Sequence, residues 1–214
     1  MAIAYGGLLT GNNTGSATSY STASVTPIAG NVTIFCGQTK GNTNVPAISG
    51  CNLTWTLEYR DATRGFYVFW GVGNSPSAGS ITISNLTSGN TGSLWSVFHF
   101  SGVDTTTPLA QRVVANGNSN SPAVTLGAFS TTRNNWAFSM TNLTNQVRTF
   151  TAGTNFTTIS QTSRSSFALH TQYESIEGTA VTASMDGTSI WYMHAWELNE
   201  AISTASTGNF FLMF

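Results

Sequence analysis

The chain has 214 residues, 40% hydrophobic and 12% aromatic, which is enough for a substantial core and too apolar for a disordered chain. Only 7% are charged, against about 25% in an average globular domain, and seven cations against eight acids leave a net charge of -1. Seven scattered cations build no basic face, so neither nucleic acid nor an anionic membrane surface is expected as a partner. Solubility rests instead on Thr, Ser, Asn and Gly, which make up nearly half the chain.

The chain opens MAIAYGGLLTGNNTG. Without a basic leading segment, and with an apolar run broken by glycine, it is not expected to be a signal peptide. No apolar stretch is long enough for a membrane helix. Residues 1–30 read as a polar arm, or first strands, that orders on assembly. From residue 31 short β-rich runs alternate with Gly, Asn, Ser and Pro breakers. The strands expected are 31–36, 52–60, 65–72, 80–86, 94–100, 123–129, 135–141, 156–162, 166–173, 178–184 and 189–199, with weaker ones at AIAY and near Tyr20 to Val25. About a dozen strands and no amphipathic helix predict an all-β, jelly-roll-like β-sandwich. No linker and no repeat of 20–50 residues divides it, so residues 31–199 read as one domain and 200–214 as a spacer with an apolar tail.

Alternation sets the faces. In NLTWTLEYR, Leu53, Trp55 and Leu57 share one side and threonines the other. SIWYMHAWELN and GFYVFWGV are apolar on both sides, as a strand covered twice would be. Cys36 and Cys51 fall in or beside strands and read as buried free thiols, with a single disulfide as the alternative.

Several stretches resemble β-sandwich domains of tailed-bacteriophage virion proteins and some bacterial surface proteins: GCNLTWTLEYRD, RGFYVFWGVGNSPSAGSITIS, LWSVFHFSGVDTTTPLAQ and SIWYMHAWELN. The resemblance covers roughly residues 20–199, and FSGVDTTTPLA is its most distinctive segment. It implies a jelly-roll-like sandwich, no catalysis, and a place in a virion assembled in the host cytoplasm, as a capsid decoration (cement) protein or a tail part. The partners expected are copies of itself, with a trimer as the working expectation, and a major capsid or tail protein of a virion. The residues of FSGVDTTTPLA also have a plain structural role: Asp104 accepts amides from Thr106 or Thr107 in an Asx-type turn, and Pro108 keeps Thr107 extended.

No constellation announces chemistry. No GxSxG elbow, Walker loop or dinucleotide fingerprint occurs. His99, His170 and His194 sit inside expected strands with no metal-ligand spacing, and no cofactor or metal is expected. Glu174 and Glu177 lie in the turn-like YESIEG, which reads as a hairpin tip rather than a catalytic pair. Six N-x-S/T sequons match the number chance predicts. Sugar binding would need an exposed aromatic face. Trp70 and Trp191, on the doubly apolar strands, are the candidates for glycan stacking, against core packing for all six tryptophans.

The last segment is the outlier. After small polar residues, Phe210, Phe211, Leu212, Met213 and Phe214 end the chain. A spacer with an apolar tip suits an anchor that reaches a second surface, with docking on its own domain as the alternative.

Overall fold

The computed structural model describes residues 2–130, 133–175 and 178–202. Every described element is a strand, and all pairing is antiparallel. The first eight strands are β1 (Ala4–Asn13), β2 (Tyr20–Ser21), β3 (Val32–Thr39), β4 (Ala47–Gly50), β5 (Thr54–Asp61), β6 (Phe66–Val72), β7 (Ile81–Ser84) and β8 (Ser93–Ser101). They form a five-stranded sheet in the order β1-β8-β3-β6-β5 and a three-stranded sheet β2-β7-β4.

The second eight are β9 (Leu109–Ser119), β10 (Ala123–Thr125), β11 (Trp136–Leu143), β12 (Phe150–Ala152), β13 (Phe156–Arg164), β14 (Phe167–Glu174), β15 (Ala180–Met185) and β16 (Ser189–Leu198). Their sheets run β9-β16-β11-β14-β13 and β10-β15-β12. Adding eight to each strand number of the first half reproduces the second half without exception. The β-sandwich is therefore two halves of one topology, joined by residues 102–108. The period is about 100 residues, beyond the 20–50 that mark a solenoid.

Three cores stack through the molecule. The central one lies between the five-stranded sheets and joins Ile34, Phe66, Phe98 and Phe100 to Phe138, Leu169 and Trp196. Phe138 stacks on Trp196 at 4.9 Å between ring centroids, and Phe98 meets Phe138 edge-on at 5.9 Å. Each outer sheet closes a further core against its own half. Tyr20, Ile81 and Ile83 pack on Phe35, Tyr67 and Trp95, while Val124, Val181 and Met185 pack on Trp191 and Met193. The five-stranded sheets are thus covered on both faces, which is why β3 and nearly all of β8, β11 and β14 are buried at every position.

Local sequence keeps traces of the duplication. Both β8 and β16 start Ser-Leu/Ile-Trp. Trp95 lies opposite Gly11, and Trp191 opposite Gly117. At each glycine a Cβ would stand 2.7 Å from indole Cζ2. A glycine on the edge strand makes room for the ring in both halves.

All four edges of the five-stranded sheets carry one extra residue: Leu8 in β1, Glu58 in β5, Ile159 in β13 and Ala110 in β9. A bulge reverses the alternation beyond it. In β5 it leaves Leu57 paired with Phe69 on the outer side and turns Tyr59, paired with Val68, inward to His194 and Trp196.

Residues 1–30, expected as a polar arm or first strands, supply β1 and β2, and β1 pairs with β8 from Ala4 to Asn13. Cys36 and Cys51 are both buried and free, which excludes the disulfide. They belong to different cores, on opposite sides of one sheet. Burial pushes both thiols up.

Candidate functional site

β3 and β11 run in the same direction through the central core, so the sandwich has a linker end, where they start, and a cleft end, where they finish. The charges divide between these ends. At the linker end, Asp104 accepts the amides of Thr106 at 2.9 Å and Thr107 at 3.1 Å, the turn its sequence demands. Those backbone bonds, with Arg133 at 3.5 Å, hold its carboxyl below the usual range. The linker is clamped by the segment after β16: Asp104 N donates to Asn199 O, Ala201 N to Gly102 O, and Val103 bridges Glu200. FSGVDTTTPLA is therefore the joint between the halves.

Two carboxylates share one sheet face near this end. Ala137 in β11 pairs with Glu174 on one side and Glu197 on the other. Both are 3% exposed. Glu197 accepts Gln111 Nε2 at 2.6 Å and Asn135 Nδ2 at 2.5 Å. Among the described residues Glu174 Oε2 has no partner, and burial raises its pKa. Both carboxylates are buried, whereas a catalytic pair must flank an accessible glycosidic bond. Glu177 lies outside the described residues.

The cleft end is basic. Lys40, Gly41, Thr63, Arg64, Thr91, Thr144, Asn145 and Tyr192 enclose about 440 Å³ between the halves. Lys40 Nζ donates to Ser166 Oγ across the seam at 2.8 Å. Arg64 covers the Tyr192 ring at 3.9 Å and pairs with Asp61 at 2.9 Å. Arg164, in the matching hairpin of the second half, donates to the carbonyls of Asn13, Thr14 and Thr91 of the first. A second hollow of about 260 Å³ shares Asn145 and continues along Asn118, Gln146 and Ile190. Cations, amides and an aromatic ring in one groove suit a hydroxylated or anionic ligand. Sequence reading missed this groove because its parts come from four separate turns.

Of the two tryptophans proposed for stacking, one is buried and the other half-buried. Trp191 is 6% exposed, lies over Gly117 and donates Nε1 to Ser119 Oγ at 3.0 Å. Trp70 is half-buried against the central core. The apolar tip from Phe210 to Phe214 lies outside the described residues. The three histidines occupy separate positions on β8, β14 and β16, and among the described residues no three His, Cys, Asp or Glu side chains come together as metal ligands. Burial lowers the pKa of His170 and His194 to about 4.

Comparison with family models, curated proteins and solved structures finds no match to this chain.

Proposed function

We propose that the protein is a non-enzymatic structural component of a virus particle, a capsid decoration protein of a tailed bacteriophage being the form its resemblance implies. The observation that carries this reading is the apolar tip Phe210–Phe214 on a chain only 7% charged. Burying five such side chains contributes on the order of 8–12 kcal/mol before ordering costs. That gain is realised where a groove is already formed, as in an oligomer or a capsid lattice. The architecture supports a rigid building block. Each half reads as a jelly-roll variant, with strands in the order 1-8-3-6 on one sheet and 2-7-4 on the other, and with strand 5 moved beside strand 6. The test is the solution mass of the full chain and of a chain ending at Gly208. A defined oligomer that the shorter chain cannot form supports the reading; equal monomers oppose it.

A second reading is a glycan- or receptor-binding module of a phage tail or bacterial surface, and the groove at Lys40, Arg64, Asn145 and Tyr192 is what favours it. Titration with neutral and uronic-acid oligosaccharides, read by tyrosine and tryptophan fluorescence, tests it. Saturable binding lost in Lys40→Ala places the ligand in the groove.

A further inference from the structure

We infer that β9 is a self-association edge, on which a second copy of this chain pairs antiparallel and continues the five-stranded sheet across a two-fold axis. This deepens the assembly reading by naming a surface independent of the C-terminal tip.

A free sheet edge invites another strand, and soluble proteins blunt it with bulges, charge, proline or brevity. The edges of the outer sheets are two to four residues long. β1 is bulged at Leu8, and Tyr5 on its inward face is closed by a stack on Tyr173 at 4.7 Å. β5 is bulged at Glu58 and carries Glu58, Arg60 and Asp61. β13 is bulged at Ile159 and ends in Arg164.

β9 differs from all of these. Its bulge, at Ala110, sits at the start of the strand, so Gln111 to Ser119 pair with β16 in unbroken register. That run contains no proline and a single charge, Arg112. Gln111 is engaged by Gly127, which leaves Arg112 to Asn118 as the stretch clear of a paired strand among the described residues.

The face beside this edge is also uncovered. Arg112, Val114, Asn116 and Asn118 point toward the opposite sheet, yet all four are exposed. The opposite edge strand, β5, meets this face at Arg112, which lies over the Tyr59 ring at 4.4 Å and donates to Glu58 O at 3.4 Å. Beyond that contact Val114 is 43% and Ile190 48% exposed. On the matching side, at β1, Tyr5 stacks on Tyr173 beside a hollow of about 220 Å³ at Leu8, Leu9 and Ile159, so the two sides of the sandwich are covered differently.

The stretch suits itself as a partner. Centring Ala115 on Ala115 of a second copy sets Val114 opposite Asn116, Arg112 opposite Asn118 and Val113 opposite Gly117. No like charges meet, and the two Val114 side chains become diagonal neighbours, a favourable cross-strand arrangement. The pairing is isologous, so it closes as a dimer rather than growing into a fibre.

The experiment is light scattering on four proteins: the full chain, the chain ending at Gly208, and Val114→Lys/Asn116→Lys and Val114→Lys/Asn116→Glu in the shorter chain. Both substituted side chains are exposed, so thermal unfolding checks that the fold is kept. The inference expects the shorter chain to be a dimer, the Lys/Lys variant a monomer, and the Lys/Glu variant a dimer again, because lysine then faces glutamate across the axis. A shorter chain that is monomeric, or a Lys/Lys variant with unchanged mass, overturns it. The tip-anchored reading is judged separately, by whether the full chain forms a larger assembly than the shorter one.

Discussion

Asn142 donates Nδ2 to Gln38 Oε1 at 3.2 Å, and each is the seventh residue of its strand, β11 and β3. The same position in the two halves thus meets itself across the central core. Gln38 Nε2 also donates to Leu143 O at 3.0 Å, so the amide pair is tied to backbone as well as to its counterpart. Both side chains are fully buried. Asn142→Ala leaves Gln38 Oε1 without its donor, and the expected loss is about 1–3 kcal/mol in urea unfolding. The double substitution Gln38→Leu/Asn142→Leu is expected to cost less than the sum of the single ones. Strict additivity would show that the contact couples nothing.

The two tryptophan–glycine pairs make a paired prediction. Gly11→Ala and Gly117→Ala each push a methyl into an indole, and each is expected to cost about 1–3 kcal/mol through overpacking. The response is expected in both halves, by thermal unfolding. A neutral Gly117→Ala would mean that Trp191 is not fixed over β9.

Acid should destabilise the fold through its histidines. His194 lies among Tyr59, Phe66 and Trp196, with neither ring nitrogen hydrogen-bonded to any described residue. His170 stacks on Phe150 at 4.9 Å, with Nδ1 unpartnered among the described residues. Burial holds both near pKa 4, below the 6.5 of an exposed imidazole. The unfolded chain therefore binds more protons between those values. Stability is complete above pH 6.5 and falls as pH drops toward 4, by about 3 kcal/mol for each histidine. Urea midpoints measured from pH 7 to pH 4 check this. His194→Phe is expected to remove about half of the slope.

The fold was readable where side chains alternate or where a strand is apolar on both faces. SIWYMHAWELN and GFYVFWGV advertised strands covered twice, and they are β16 and β6, interior strands of the two large sheets. β9 was not readable. LAQRVVANGNS has weak β-formers, and an edge strand half open to solvent has no need of a clear apolar stripe. The bulges were equally hidden, because one extra residue leaves no mark in composition. The duplication was invisible because the halves match in strand order far more than in sequence; SLW and SIW are its plainest trace. The cleft escaped because Lys40, Arg64, Asn145 and Tyr192 are distant in the chain and meet only when the halves close.

Both halves share one central core and are expected to unfold together. Native-state hydrogen exchange on the full chain tests this directly. The account predicts that amides of β3, β8, β11, β14 and β16 exchange at one common free energy, equal to that of global unfolding. Faster exchange is expected only in the outer sheets and edges. Two separate plateaus, one for strands before residue 102 and one for strands after 108, would contradict it.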